Sequence, residues 1–81
     1  VKAQATRVRR EFNVRVGARL RQYRIKANIS QGAVAKEIGC SESVVSRYET
    51  GAVPCDAETL VRIAAVFGCE PGEFINRITA K

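Results

Sequence analysis

Between Glu42 and Thr50 the sequence reads Glu-Ser-Val-Val-Ser-Arg-Tyr-Glu-Thr. At about 100° per residue, a helix here turns Val44, Val45 and Tyr48 inward and leaves Ser43, Ser46, Arg47 and Thr50 on the opposite side. That outward face is polar and mostly small, so it can approach a DNA major groove without steric cost. Arg47 adds a planar donor fork able to pair two ways with O6 and N7 of a guanine. Ser43 and Ser46 are weaker readers, because a hydroxyl both donates and accepts and so discriminates little. Glu42 has two readings at the edge of this face: its carboxylate accepts from a cytosine amino group, or it stabilises the positive end of its own helix.

Such a face needs a scaffold, and the punctuation of the chain predicts one that is all-α. No alternation long enough for a strand occurs, whereas apolar residues recur at helical spacing between regular stop signals. Val16, Leu20, Tyr23 and Ala27 form the stripe of helix 1, which Asn28 ends; its start is at Asn13 or at Thr6. Ser30 caps a short helix 2 with Val34, Ala35 and Ile38 inward, closed by Gly39. Ser41 caps helix 3, closed by Gly51. Asp56 caps helix 4, whose stripe of Leu60, Ile63, Ala64 and Phe67 stops at Gly68. Pro71 opens a fifth helix carrying Phe74, Ile75 and Ile78, which are either core or an exposed apolar strip. Helices 2 and 3 are too short to stand alone and too tightly joined by Gly39-Cys40-Ser41 to lie as a hairpin. They read as a helix-turn-helix.

Charge is unevenly spread. The net charge is +6, but residues 1–28 hold nine Lys and Arg against Glu11, while residues 29–81 hold five against seven acids. The basic end suits a polyanion, either nucleic acid or an anionic membrane face. Residues 1–13, with Lys2, Arg7, Arg9 and Arg10, form a basic arm or an extension of helix 1, and residues 14–81 form one small domain. The longest apolar run, Ile63 to Phe67, falls far short of the ~20 residues that cross a bilayer, so no membrane role is expected. Beginning at Val1 and lacking Met, the chain is expected to be a processed or excised piece, with room for an effector domain or partner protein beyond Lys81. Cys40, Cys55 and Cys69, without a His anywhere, make neither a disulfide framework nor a zinc knuckle and fit a reducing cytoplasm. Cys40 and Cys69 read as small core plugs. Cys55, beside Pro54, has no cationic neighbour to activate it.

Val16-Gly17, Leu20-Arg21, Arg24, Ser30-Gln31, Val34-Ala35, Ile38-Gly39, Ser41, Val45-Ser46, Tyr48-Glu49, Gly51 and Pro54 together resemble the phage-repressor and Cro-type helix-turn-helix, or xenobiotic-response-element, family. The likeness continues through Leu60, Ile63-Ala64, Phe67-Gly68 and Phe74 and omits only the arm. It implies a compact, lambda-repressor-like five-helix domain whose third helix enters the major groove, and a homodimer on a two-fold double-stranded DNA site, in a bacterial or phage-encoded regulator. Glu42, Ser43 and Arg47 match the base-contacting positions, with Ser46 beside them, and Gln31 matches a phosphate grip at the start of helix 2. Arg24 and Glu49 match an ion pair tying helix 1 to helix 3, with the arginine near a phosphate. Gln31, Ser41, Thr50, Arg24 and Arg21 are thus the expected phosphate contacts. The chain departs from the family in the loop after helix 3, where Ala52-Val53-Pro54-Cys55 stands in place of lysines; the basic arm can compensate along the backbone or in the minor groove.

The competing expectation is a protein-interaction module, an antitoxin or coactivator-type bridging domain that keeps the fold without reading bases. An enzyme is not expected: no His, no paired carboxylates and no glycine-rich phosphate loop offer a catalytic role, and no cofactor or metal is implied.

Overall fold

Three helix starts are set by side chains that accept the amide three residues on. Ser30 takes the Ala33 N–H at 3.0 Å, Ser41 that of Val44 at 3.3 Å and Asp56 that of Thr59 at 3.0 Å. The computed structural model describes residues 2–78, with side chains from residue 5 onward. Among them are four α-helices and no strand: α1 Lys2–Lys26, α2 Gln31–Ile38, α3 Glu42–Thr50 and α4 Ala57–Phe67, followed by a 3-10 turn at Pro71–Phe74. Asn28, at φ 59°, turns the chain out of α1 as its type allows.

The core is made by one face of each element. Val16 and Leu20 of α1, Val34, Ala35 and Ile38 of α2, Val45 of α3, Leu60, Ile63 and Ala64 of α4, and Phe74 are all buried. Phe74 is fully enclosed and meets Tyr23 edge-on at 5.1 Å and Phe67 at 6.3 Å between ring centres. Phe74 is therefore core, Ile78 packs against that core, and only Ile75 of the expected strip is exposed.

Two expectations are corrected. The fifth helix is a single 3-10 turn. Arg19 of α1 donates to the carbonyls of Glu73, at 3.1 Å, and Asn76. Arg77 turns left-handed, at φ 62°, and the helix stops. The other correction is at the front. Neither Thr6 nor Asn13 caps α1, because the helix runs unbroken from Lys2, so the basic segment is helix rather than extended chain. Lys2 itself has its side chain outside the described residues.

At 25 residues α1 is about 37 Å long, close to the 39 Å long axis of the molecule. Its later half is clamped on α3. A Cβ on Gly17 would overlap the Tyr48 and Glu49 carbonyls, and one on Gly51, at φ +80°, would lie 2.6 Å from Val14 Cα. Residues 5–12 lie ahead of this crossing and are all exposed.

Candidate nucleic-acid interface

Helix α3 is held from behind by Val45 and Glu49, which are buried about 160° around the helix from Arg47. Ser43, Arg47 and Thr50 share an exposed arc of about 60°. The Arg47 guanidinium makes no hydrogen bond or ion pair among the described residues, so its donor fork is available to a partner outside the chain. Ser43 Oγ lies 3.4 Å from Ser41 Oγ. Thr50 donates its hydroxyl proton to the Arg47 carbonyl at 3.2 Å and accepts the Ala52 N–H at 3.4 Å. Ser46 is half-buried on the flank that turns toward α1.

Glu42 stands apart from this arc. It is about 140° around the helix from Arg47, and its Oε1 lies 3.1 Å from where a Gly32 Cβ would be. Gly32 is in the first turn of α2, so the carboxylate faces the positive ends of two helices at once. This placement favours the helix-end role over the base-reading one.

Behind the arc, three elements meet at the Glu49 carboxylate. Arg24 donates from Nε to Oε2 at 2.5 Å and from Nη2 to Oε1 at 3.1 Å, and Gln31 donates from Nε2 to Oε1 at 3.0 Å. Arg24 also reaches the Ile29 carbonyl at 3.0 Å, just before α2. The bond to Glu49 raises the Arg24 pKa above its ordinary value, and the guanidinium stays charged. Arg24 thus commits three of its five N–H donors to architecture and keeps two. Gln31 keeps one N–H and its oxygen for an outside group, because only its nitrogen can face a carboxylate. Ser41, the cap of α3, is exposed at the opposite end of that helix from Glu49.

A groove runs between α1 and α3 beside the arc. Arg21, Val14, Ala18 and Ile25 form one wall, and Ser46, Thr50 and Gln31 the other. Arg21 is exposed there, in reach of the same outside surface as Gln31. Val14 and Ile25 escaped the sequence reading. Their signal was a second helical series, 14, 18, 21 and 25, beside the core stripe of 16, 20 and 23. Thr6 and Asn13, read only as caps, line a further cleft with Arg9, Arg10, Gly51 and Ala52. Arg7 is exposed on the same stretch of helix.

The three thiols are free of disulfides, and that of Cys40 donates to the Ser41 carbonyl at 3.5 Å. Burial pushes the Cys55 thiol up to about 12, with the Asp56 charge adding to it. Burial also raises Cys40 and Cys69. Among the described residues no three His, Cys, Asp or Glu are grouped to hold a metal ion, and no helix is long and apolar enough to cross a membrane.

A family model described as a helix-turn-helix domain matches residues 15–74. Among solved structures, the chain is similar to the P22 c2 repressor protein in its crystal structure with synthetic operator 9T in the presence of Tl+. The TM-score is 0.70 at 28% sequence identity, over 75% of this chain and 92% of that one. No curated protein matches the chain.

Proposed function

This chain belongs to the helix-turn-helix domain family, and from that membership we propose that it is a sequence-specific double-stranded DNA-binding transcriptional regulator. The observation that carries the reading is the Arg47 fork, without a partner among the described residues, on the exposed arc of a helix anchored from behind by Val45 and Glu49. The P22 c2 repressor, similar over most of this chain, is bound to an operator in its crystal structure.

The proposed mechanism is occupancy. Helix α3 enters the major groove, with Arg47 pairing to guanine O6 and N7, Ser43 and Ser46 reading beside it, and Glu42 steadying the helix ends. Gln31, Ser41 and Arg21 hold phosphates on either side, while Arg24 and Glu49 fix the angle of the reading helix. A homodimer reads two half-sites about 34 Å apart on an inverted repeat, and bound protein blocks or assists polymerase. The proposal is for binding without catalysis, in a reducing cytoplasm where free thiols persist.

Selection of bound duplexes from random sequence, at two salt concentrations, tests this. Recovery of a palindromic motif supports it. Tight, salt-sensitive binding without any motif would leave only attraction between arginines and phosphates and would overturn it.

A further inference from the structure

Ahead of the Val14–Gly51 contact, α1 projects past the C-terminal end of α3, with Arg10 about 6 Å and Thr6 about 12 Å beyond Val14 along the helix. Between this overhang and the corner at Gly51 and Ala52 lies an open cleft lined by Thr6, Arg9, Arg10 and Asn13. No acid lines it. Glu11 lies on the far side of the helix, about 150° from the centre of the lining. Neither Arg9 nor Arg10 makes an ion pair among the described residues.

The corner itself has little to offer an anion. The Gly51 N–H is spent on the Tyr48 carbonyl at 3.2 Å and the Ala52 N–H on that of Arg47 at 3.0 Å. Gly51 has no side chain to fill the cleft, and the Ala52 methyl cannot close it. What remains is two guanidinium groups, an amide and a hydroxyl, spread along two turns of one helix. Together they offer charge and several N–H and O–H donors to a single tetrahedral oxyanion.

We propose that this cleft seats a DNA backbone phosphate, held by Arg9 and Arg10 with Asn13 and Thr6, on the strand that flanks the C-terminal end of α3. The inference rests on the reading that α3 lies in a major groove. It divides the basic segment by face. Arg9 and Arg10 grip the backbone from a helix, whereas an extended arm would lie in the minor groove. Contacts of this kind add affinity without adding sequence preference.

The test is the salt dependence of binding to the motif recovered by random-duplex selection, for the whole chain and for Arg9→Gln, Arg10→Gln and Lys36→Gln. Lys36 is an exposed lysine on α2 beside Ala65 and Val66, away from the cleft. Each arginine variant should lower the slope of log K against log[salt] by about 0.9 and leave the motif unchanged, while Lys36→Gln should not alter the slope. Arg9→Lys and Arg10→Lys should restore the slope, and far-UV circular dichroism reports whether each variant keeps its helices. Phosphate ethylation should interfere at a position flanking the half-site for the unaltered chain and lose that interference with Arg10→Gln. Unchanged slopes and unchanged interference, with the motif still recovered, would overturn the phosphate seat and leave the regulator reading standing. Failure to recover any motif would overturn both.

Discussion

Arg24 grips Glu49 with two hydrogen bonds, Nε to Oε2 at 2.5 Å and Nη2 to Oε1 at 3.1 Å, and so fixes α3 to α1. The Glu49 side chain is 4% exposed and that of Arg24 13%, which puts the pair among those where removing one partner strands a charge. Glu49→Ala should cost about 3–5 kcal/mol, because Arg24 and the Gln31 amide then both lose their acceptor. Replacing Arg24 and Glu49 together by Met and Leu should cost far less. Urea unfolding of the single and double variants checks this, and a single-variant loss below about 1 kcal/mol would mean that water already satisfies the pair.

Arg47 predicts the opposite profile. Its side chain is exposed and without a partner among the described residues, so Arg47→Ala should change stability by no more than about 0.5 kcal/mol. On DNA it should cost about 1–3 kcal/mol and relax preference at one base pair per half-site. Competition binding against duplexes substituted at each position measures both. A uniform loss across all sequences would make Arg47 a phosphate contact instead.

Much of this surface was legible because caps and stops are local. Ser30, Ser41 and Asp56 are followed by amides that only their oxygens can satisfy, so three helix starts fell where the sequence put them. The arc of Ser43, Arg47 and Thr50 followed from helical periodicity alone. What escaped was set by contacts distant in sequence. The last helix is a single turn whose Glu73 and Asn76 carbonyls meet Arg19, more than fifty residues away, and no pattern within 71–78 announces that contact. The start of α1 had two plausible caps and used neither, since the helix runs through both from Lys2. The aim of Glu42 depended on the bare Cα of Gly32 on another helix.

Acid should loosen the fold through two carboxylates. Thr59, through its hydroxyl and then its amide, holds the Asp56 carboxyl below the ordinary range, and the Glu70 amide followed by the Tyr23 hydroxyl does the same for Glu73. A depressed folded pKa means that the stabilisation is complete above the unfolded value, about 4, and is lost as pH falls through the folded value. Stability should therefore hold from pH 7 down to about 5 and fall below that. Asp56→Asn and Glu73→Gln retain the caps without titrating, so the double variant should show a shallower acid limb in thermal melts at stepped pH. An unchanged limb would place the acid transition in other groups.

Cys55 should resist alkylation in the native protein. With its thiol at about 12 against an unfolded value near 8.5, the thiolate fraction at pH 8 falls about a thousandfold on folding. Peptide mass mapping after timed iodoacetamide treatment, with and without urea, should show Cys55 modified rapidly only when unfolded. Comparable rates in both conditions would mean that the loop at Pro54 opens freely.

Gly17 should not tolerate a side chain, although it lies in a helix interior. In a helix interior Ala is favoured over Gly by about 0.8–1 kcal/mol, so propensity alone predicts that Gly17→Ala stabilises. The new Cβ would instead overlap the Tyr48 and Glu49 carbonyls, which are backbone and cannot turn aside. Relief requires α1 and α3 to part, opening the core between Val16 and Val45, and such overpacking costs about 1–3 kcal/mol or more. The clash should win, with a net loss of about 2 kcal/mol in urea unfolding. Gly32→Ala provides the control, because its Cβ would meet only the flexible end of Glu42 at 3.1 Å, and it should be neutral or stabilising. A stabilised Gly17→Ala would show that α1 does not cross the reading helix at this point, and the anchoring of the Arg47 face would need another origin.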